Sequence, residues 1–383
     1  MTKHLALLAC VAAALAACEH DRSITDPAAM AVEASRQAQR DDDSRGGSDG
    51  PRAVYTLTNQ VGGNAVAVFT RAADGTLTAA GTIATGGAGT GAGLGSQGAI
   101  ALSDDGRWLF AVNAGSNEVS ALRVGPSGLT LTSRTASGGT LPISLTVRGN
   151  VLYVLNAGGT GNITGFTVGE DGRLRAIAGS TRSLSGSAVG PAQVAFSPDG
   201  RSLIVTEKNT NLIDVYSVGR NGVASGPASV ASAGATPFGF AFGPRGDVFV
   251  SEASGSASSY DLGRRGGLRV VSGVVLTHQG APCWAVVTED GRFGYTGNGA
   301  GSVSAFAIAA NDAISLVDAD GGTAVIGSAV NDIALSHNSR YLYVLQTSGA
   351  QAIHAFRIQA DGHLAALGAI AGLPAGTRGL AAF

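Results

Sequence analysis

The sequence predicts an all-β fold, a seven-bladed β-propeller of four-stranded antiparallel blades, and three observations carry that expectation. The first is a recurring stretch whose clearest copy, Pro191 to Val218, reads PAQVAFSPDGRSLIVTEKNTNLIDVYSV. Its short apolar or alternating runs, separated by turn residues, are the pattern of an antiparallel meander. The second is the period. The turn after the longest alternating run falls at Gly75, Gly128, Gly172, Gly222, Gly267, Asp312 and Gly362, 44 to 53 residues apart, which gives seven units. The third is a mismatch: the turn after the first run of each unit falls at Gly106, Gly149, Gly200, Gly246, Gly291 and Ser339, only six times. The repeat region opens with a lone second strand, Val54-Tyr55-Thr56-Leu57-Thr58, and closes with a lone first strand, Arg378 to Phe383, so one blade is shared between the two ends.

Taken in order, residues 1–18 place Lys3 and His4 ahead of the apolar run LALLACVAAALAA, which is too short for a membrane span. The run closes on Leu15-Ala16-Ala17-Cys18, which resembles a bacterial lipobox and implies lipidation of Cys18. An ordinary secretory signal cleaved near Ala17 is the alternative, and either one exports the chain. Glu19, rather than Asp, follows Cys18, as in lipoproteins sent to the outer membrane. Residues 19–51 are polar, with Asp41-Asp42-Asp43-Ser44-Arg45-Gly46-Gly47 near their end, and bury too little apolar area to fold alone. They read as a tether of about 30 Å reach that holds a propeller, residues 52–383, at the cell envelope, in contact with the membrane only through the lipid.

Composition agrees with many short strands and tight turns: 58 Gly and 14% charged residues in 383. A formal net charge of −2, with scattered basic residues, gives no field for nucleic acid. Beyond Cys10 and Cys18 the only cysteine is Cys283, so no disulfide forms within the folded domain, and beside Trp284 it reads as a small buried hydrophobe rather than a nucleophile. The domain is expected to be monomeric.

In a meander the start of each first strand and the end of each second strand lie on one face, at the mouth of the channel. The first set is Gln97, Pro142, Gln193, Phe238, Cys283, Asn331 and Arg378; the second is Asn59, Asn113, Asn156, Glu207, Glu252, Gly297 and Gln346. The opposite, turn-bearing face is repetitive and bland, whereas this one varies from blade to blade, as expected of a ligand site. Glu207 and Glu252 hold equivalent positions in consecutive blades, and Lys208 is the only lysine after residue 18. Such a pair can act as general base and acid or share a divalent cation, with Lys208 or Arg378 stabilising an oxyanion; the bland alternative is a solvated rim. Gln193, Asn209, Cys283, Trp284, Asn331, Asn156 and the loop residue His278 complete the candidate ligand-binding set. No phosphate-binding loop, HExxH, haem-attachment, GxSxG or paired CxxC pattern occurs, so no cofactor is indicated by motif. Residues 86–95, GGAGTGAGLG, read as a flexible loop.

The AFSPDGR turn, the TEKNTNLIDVYSV segment, PFGFAF, APCWAVVTEDGR and the ending LPAGTRGLAAF together resemble the seven-bladed lactonase-like propeller family, which includes bacterial 6-phosphogluconolactonases and a fungal carboxymuconate lactonizing enzyme. The resemblance covers about residues 53–383 and implies lactone hydrolysis. It departs at Pro191-Ala192-Gln193, where active members tend to carry a His, and the mouth lacks the clustered Arg and Lys that a sugar phosphate needs. Two functions follow as expectations: an exported lactonase-type hydrolase, or a non-catalytic envelope propeller that binds a small molecule or an envelope protein at its mouth.

Overall fold

The computed structural model describes residues 52–263 and 266–383; the signal segment, Cys18 and the tether lie outside the described residues. The described residues form seven antiparallel sheets, each a meander running outward from the channel. Blade 1 consists of Ala53–Leu57, Ala65–Arg71 and Leu77–Ala84, and its innermost strand is supplied by Arg378–Ala382 from the other end of the chain. Blade 4, the clearest repeat, runs Pro191–Phe196, Ser202–Glu207, Leu212–Val218 and Ala224–Ala231. Blades 3 and 6 have interrupted outer strands, Leu174–Ala176 with Arg182–Ser183 and Ile314–Leu316 with Ala324–Val325.

Strand sequence follows radial position. Second strands such as Trp108–Asn113 and Tyr341–Gln346 are buried throughout, because both of their faces pack against neighbouring blades, and they therefore read as continuous apolar runs. Outer strands such as Ala224–Ala231 meet solvent and are mostly Ala, Ser and Gly. The seams between blades are bolted by tyrosines whose hydroxyls reach the next blade's turn: Tyr153 donates to Gly222 O (2.8 Å), Tyr295 to Gly362 O (2.9 Å) and Tyr343 to Gly75 O (3.0 Å). A buried hydroxyl must find a partner, and here the partner holds the ring together.

The turns require left-handed backbone, with φ of 66° at Gly106, 70° at Gly200 and 67° at Gly291; the polar Ser339 (52°) and Asp312 (66°) adopt it as well. In blade 5 the left-handed residue is Gly266 (81°) rather than Gly267, one position earlier than the sequence spacing suggested.

Candidate functional site

The mouth forms where expected. Pro142 pairs with Asn156, Pro191 with Glu207, Pro237 with Glu252 and Val330 with Gln346. In blade 6 Pro282 pairs with Asn298, which therefore takes the ring position assigned to Gly297.

These second-strand residues do not look into the channel. Thr206 sends its hydroxyl to Phe238 O in blade 5, and the pleat turns the next residue, Glu207, the other way, into the seam with blade 3. Glu207 is fully buried and accepts from Ser185 N (3.0 Å), Ser185 Oγ (2.5 Å) and Thr210 Oγ1 (2.7 Å). Glu252, also fully buried, accepts from Ser256 Oγ (2.7 Å) and Ser258 Oγ, and burial raises its carboxyl against the pull of these hydroxyls. The two glutamates share no hydrogen-bond partner, so they form neither a proton-sharing pair nor a solvated rim. Among the described residues no group of three His, Cys, Asp or Glu side chains could hold a metal ion.

The carboxyl that couples to Glu207 is Asp214, which sequence reasoning did not single out. It lies in the middle of the third strand, opposite Val205, fully buried, with Ser229 Oγ donating to it at 2.5 Å. Burial pushes its carboxyl up to about 7; the Ser229 hydroxyl opposes that and the adjoining Glu207 adds to it. In blades 2 and 6 this pair of positions is neutral, Asn113 with Ser120 (2.8 Å) and Asn298 with Ser304 (2.9 Å), and in blade 5 it holds one carboxyl, Glu252 with Ser258. The available signal was an aspartate inside the apolar run LIDVYSV.

Lys208 and Arg378 do come to the mouth. Lys208 Nζ donates to Gly95 O and Pro191 O, both at 2.7 Å, and lies 5.1 Å from the Phe238 ring centre. Burial brings its ammonium down to about 8, with Cys283 opposing. Arg378 Nη1 donates to Thr377 O (2.6 Å), while its Nε is buried with no acceptor. Both border the same backbone: a Cβ on Gly93 would lie 3.5 Å from Arg378 Nη2, and one on Gly95 3.8 Å from Lys208 Nζ.

That backbone is the glycine-rich segment read as a flexible loop, and it is instead a strap laid across the mouth. Asn59 Nδ2 donates to Ala92 O (2.8 Å), Trp284 Nε1 to Ser96 O (3.1 Å) and Ser96 Oγ to Ile143 O (2.8 Å). Gln97, from blade 2, reaches over to blade 6, accepting from Ala285 N (2.9 Å) and donating to Ala285 O (2.8 Å). Glycine is required where the strap presses on other backbone, since a Cβ on Gly89 would sit 2.2 Å from the Asn59 carbonyl carbon.

The remaining candidates divide by burial. Gln193 clasps the next innermost strand through Phe240 N (2.7 Å) and Phe240 O (3.0 Å). Asn156 donates to Asn162 Oδ1 (2.9 Å), Trp284 packs edge-on to Phe238 at 5.5 Å, and burial raises the Cys283 thiol to about 12, opposed by Lys208. All four are buried and hold the structure together. Asn209 donates to Ala188 O (2.8 Å) and is exposed, as is His278, and the half-buried Asn331 donates to Thr347 Oγ1.

Ring and shared blade define a seven-bladed β-propeller, and residues 52–189 match the family model described as Lactonase, 7-bladed beta-propeller. The putative 6-phosphogluconolactonase of Bacteroides fragilis is similar in structure, with a TM-score of 0.70 at 20% identity over 87% of this chain and 98% of that one. The periplasmic gluconolactonase of Pseudomonas aeruginosa is similar as well, at 0.67 and 20% over 85% and 98%. At such identities the likeness is one of fold. No curated protein matches the sequence.

Proposed function

We propose that this chain is an exported, lipid-anchored propeller that hydrolyses a lactone at the strap-covered mouth, with Lys208 as general base and Arg378 as oxyanion partner. The observation that carries the reading is the pairing along one strap of an amine brought down to about 8 with a guanidinium whose buried Nε has no acceptor. An amine in that range gains its free-base form as pH passes through about 8 and can then take a proton from attacking water, and an unpartnered buried donor suits a carbonyl oxygen that gains charge. Glu207 and Glu252 are not the bases, because neither reaches solvent. A neighbour titled periplasmic gluconolactonase supports both export and a sugar-acid lactone as substrate.

The test is a pH-stat assay on the domain from Arg52 onward with unphosphorylated aldonolactones. Expected is turnover that rises as pH passes through about 8 and disappears in Lys208→Met and Arg378→Gln; unchanged turnover in both variants rejects the site. The second reading, a binding propeller without catalysis, draws on the burial of both glutamates and the closed strap, and it expects lactones to raise the melting temperature with no acid released. Export is tested by detergent partition, in which Cys18→Ser should move the protein to the aqueous phase; wild-type protein already found there rejects the lipid anchor.

A further inference from the structure

On the face opposite the strap, blades 2 and 3 part around a cavity of about 620 Å³, within the range of small-molecule sites. Its origin is a shortened turn. Between the first and second strands five residues intervene in blades 2, 4, 6 and 7, but in blade 3 only Gly149 and Asn150 separate Arg148 from Val151. The space a full-length turn would fill is left open. Trp108, Phe110, Val147 and Val168 supply the apolar wall. The indole is fixed, because its six-membered ring covers Gly172 so closely that a Cβ there would lie 2.1 Å away. An aromatic wall held in this way gives up little freedom when a ligand arrives.

The charge of the lining sets the ligand's sign. Asp104, Asp105 and Glu170 line it with one guanidinium, that of Arg107, and Arg148 at its edge approaches Asp104, which leaves one negative charge in excess. Arg107 is engaged by Asp105 at 2.5 Å and Arg148 approaches Asp104 at 3.3 Å, while Glu170 has no ion-pair partner among the described residues. We propose that this cavity is a second binding site, distinct from the mouth, for a small organic cation: an ammonium group paired with Glu170 and an apolar body against Trp108. The unpaired carboxylate favours this class over anions and neutral alcohols, and the apolar wall takes the body of the ligand.

Calorimetric titration of the full chain with benzyltrimethylammonium tests the proposal, with phenylacetate and benzyl alcohol as the anionic and neutral counterparts. Expected is saturable binding of the cation alone, weakened about two- to fivefold in Glu170→Gln, as for a partly exposed ion pair, and weakened further by salt. A second variant lengthens the Gly149-Asn150 turn to the SPDGR turn of blade 4, which the fold already accommodates, and should abolish binding while the melting temperature holds. No saturable heat up to about 10 mM, a ligand far below useful affinity, overturns the site. So does equal binding of phenylacetate, or binding that ignores both variants.

Discussion

Replacing Asp214 with Asn tests the buried acid pair directly. Asp214 is raised from the ordinary 3.8 to about 7, so its proton is held more tightly in the fold than in the unfolded chain. A carboxyl raised in this way costs nothing below the ordinary range, where both states are protonated; the cost builds as pH climbs from about 3.8, where the unfolded chain ionises while the fold keeps its proton, and is complete above about 7. A difference of that size corresponds to about 4 kcal/mol as an upper bound, and relaxation of the surroundings around the charged carboxylate brings it to about 2 kcal/mol. Asparagine keeps the shape, accepts from Ser229 and donates to Glu207 without titrating. Asp214→Asn should therefore melt about 3 °C above wild type at pH 8 for a domain of this size, with the gap narrowing at pH 5 and closing only below the ordinary carboxyl range. Thermal melts of both proteins at both pH values decide the matter; a variant less stable at pH 8 than at pH 5, relative to wild type, refutes the reasoning.

Removing residues 378–383 takes away the buried side chains of Leu380 and Phe383, each stabilising by about 1.5–3 kcal/mol, and strands Asp332, whose Oδ2 accepts from Leu380 N; the truncated domain should melt well below the full one, and an equal melting temperature counts against the shared blade. Gly172→Ala drives a Cβ into Trp108 at a φ of 74° and should cost at least about 1–3 kcal/mol; a neutral result in chemical denaturation contradicts the seam geometry. Gln97→Ala loses both bonds to Ala285, about 1–3 kcal/mol in all, and should expose residues 86–96 to limited proteolysis while the outer strands resist; unchanged cleavage means that the strap is held by other contacts. The Cys283 thiol, raised to about 12, should not react with a disulfide reagent at pH 7.5 until the protein is unfolded; prompt reaction in the native state contradicts its burial.

The repeat was legible because left-handed turns select Gly, Asn, Asp or Ser, and such residues recur at measurable spacing whatever surrounds them. Errors of one residue followed from local ambiguity. Gly266 and Gly267 satisfy the turn pattern equally, and Gly297 and Asn298 stand side by side at the end of the blade 6 second strand, where only the pairing with Pro282 selects Asn298. The glutamates were found at the right strand ends, but alternation along a strand does not say which of two buried seams a side chain enters, so a pair at an open mouth was expected where two separate, hydroxyl-lined seams exist. The strap was illegible for another reason. Its glycines read as freedom when taken alone, and the contact that fixes Gln97 is 188 residues away.

The shared blade also sets an order of events. Thr56 donates to Gly379 O across 323 residues, so the circle stays an open arc until residues 378–383 have left the ribosome. Every earlier blade can form against its predecessor through local contacts, whereas blade 1 waits with a bare inner edge for the whole chain. A nascent chain therefore presents one adhesive edge, and the strand Arg378–Ala382 acts as the clasp that withdraws it from other molecules.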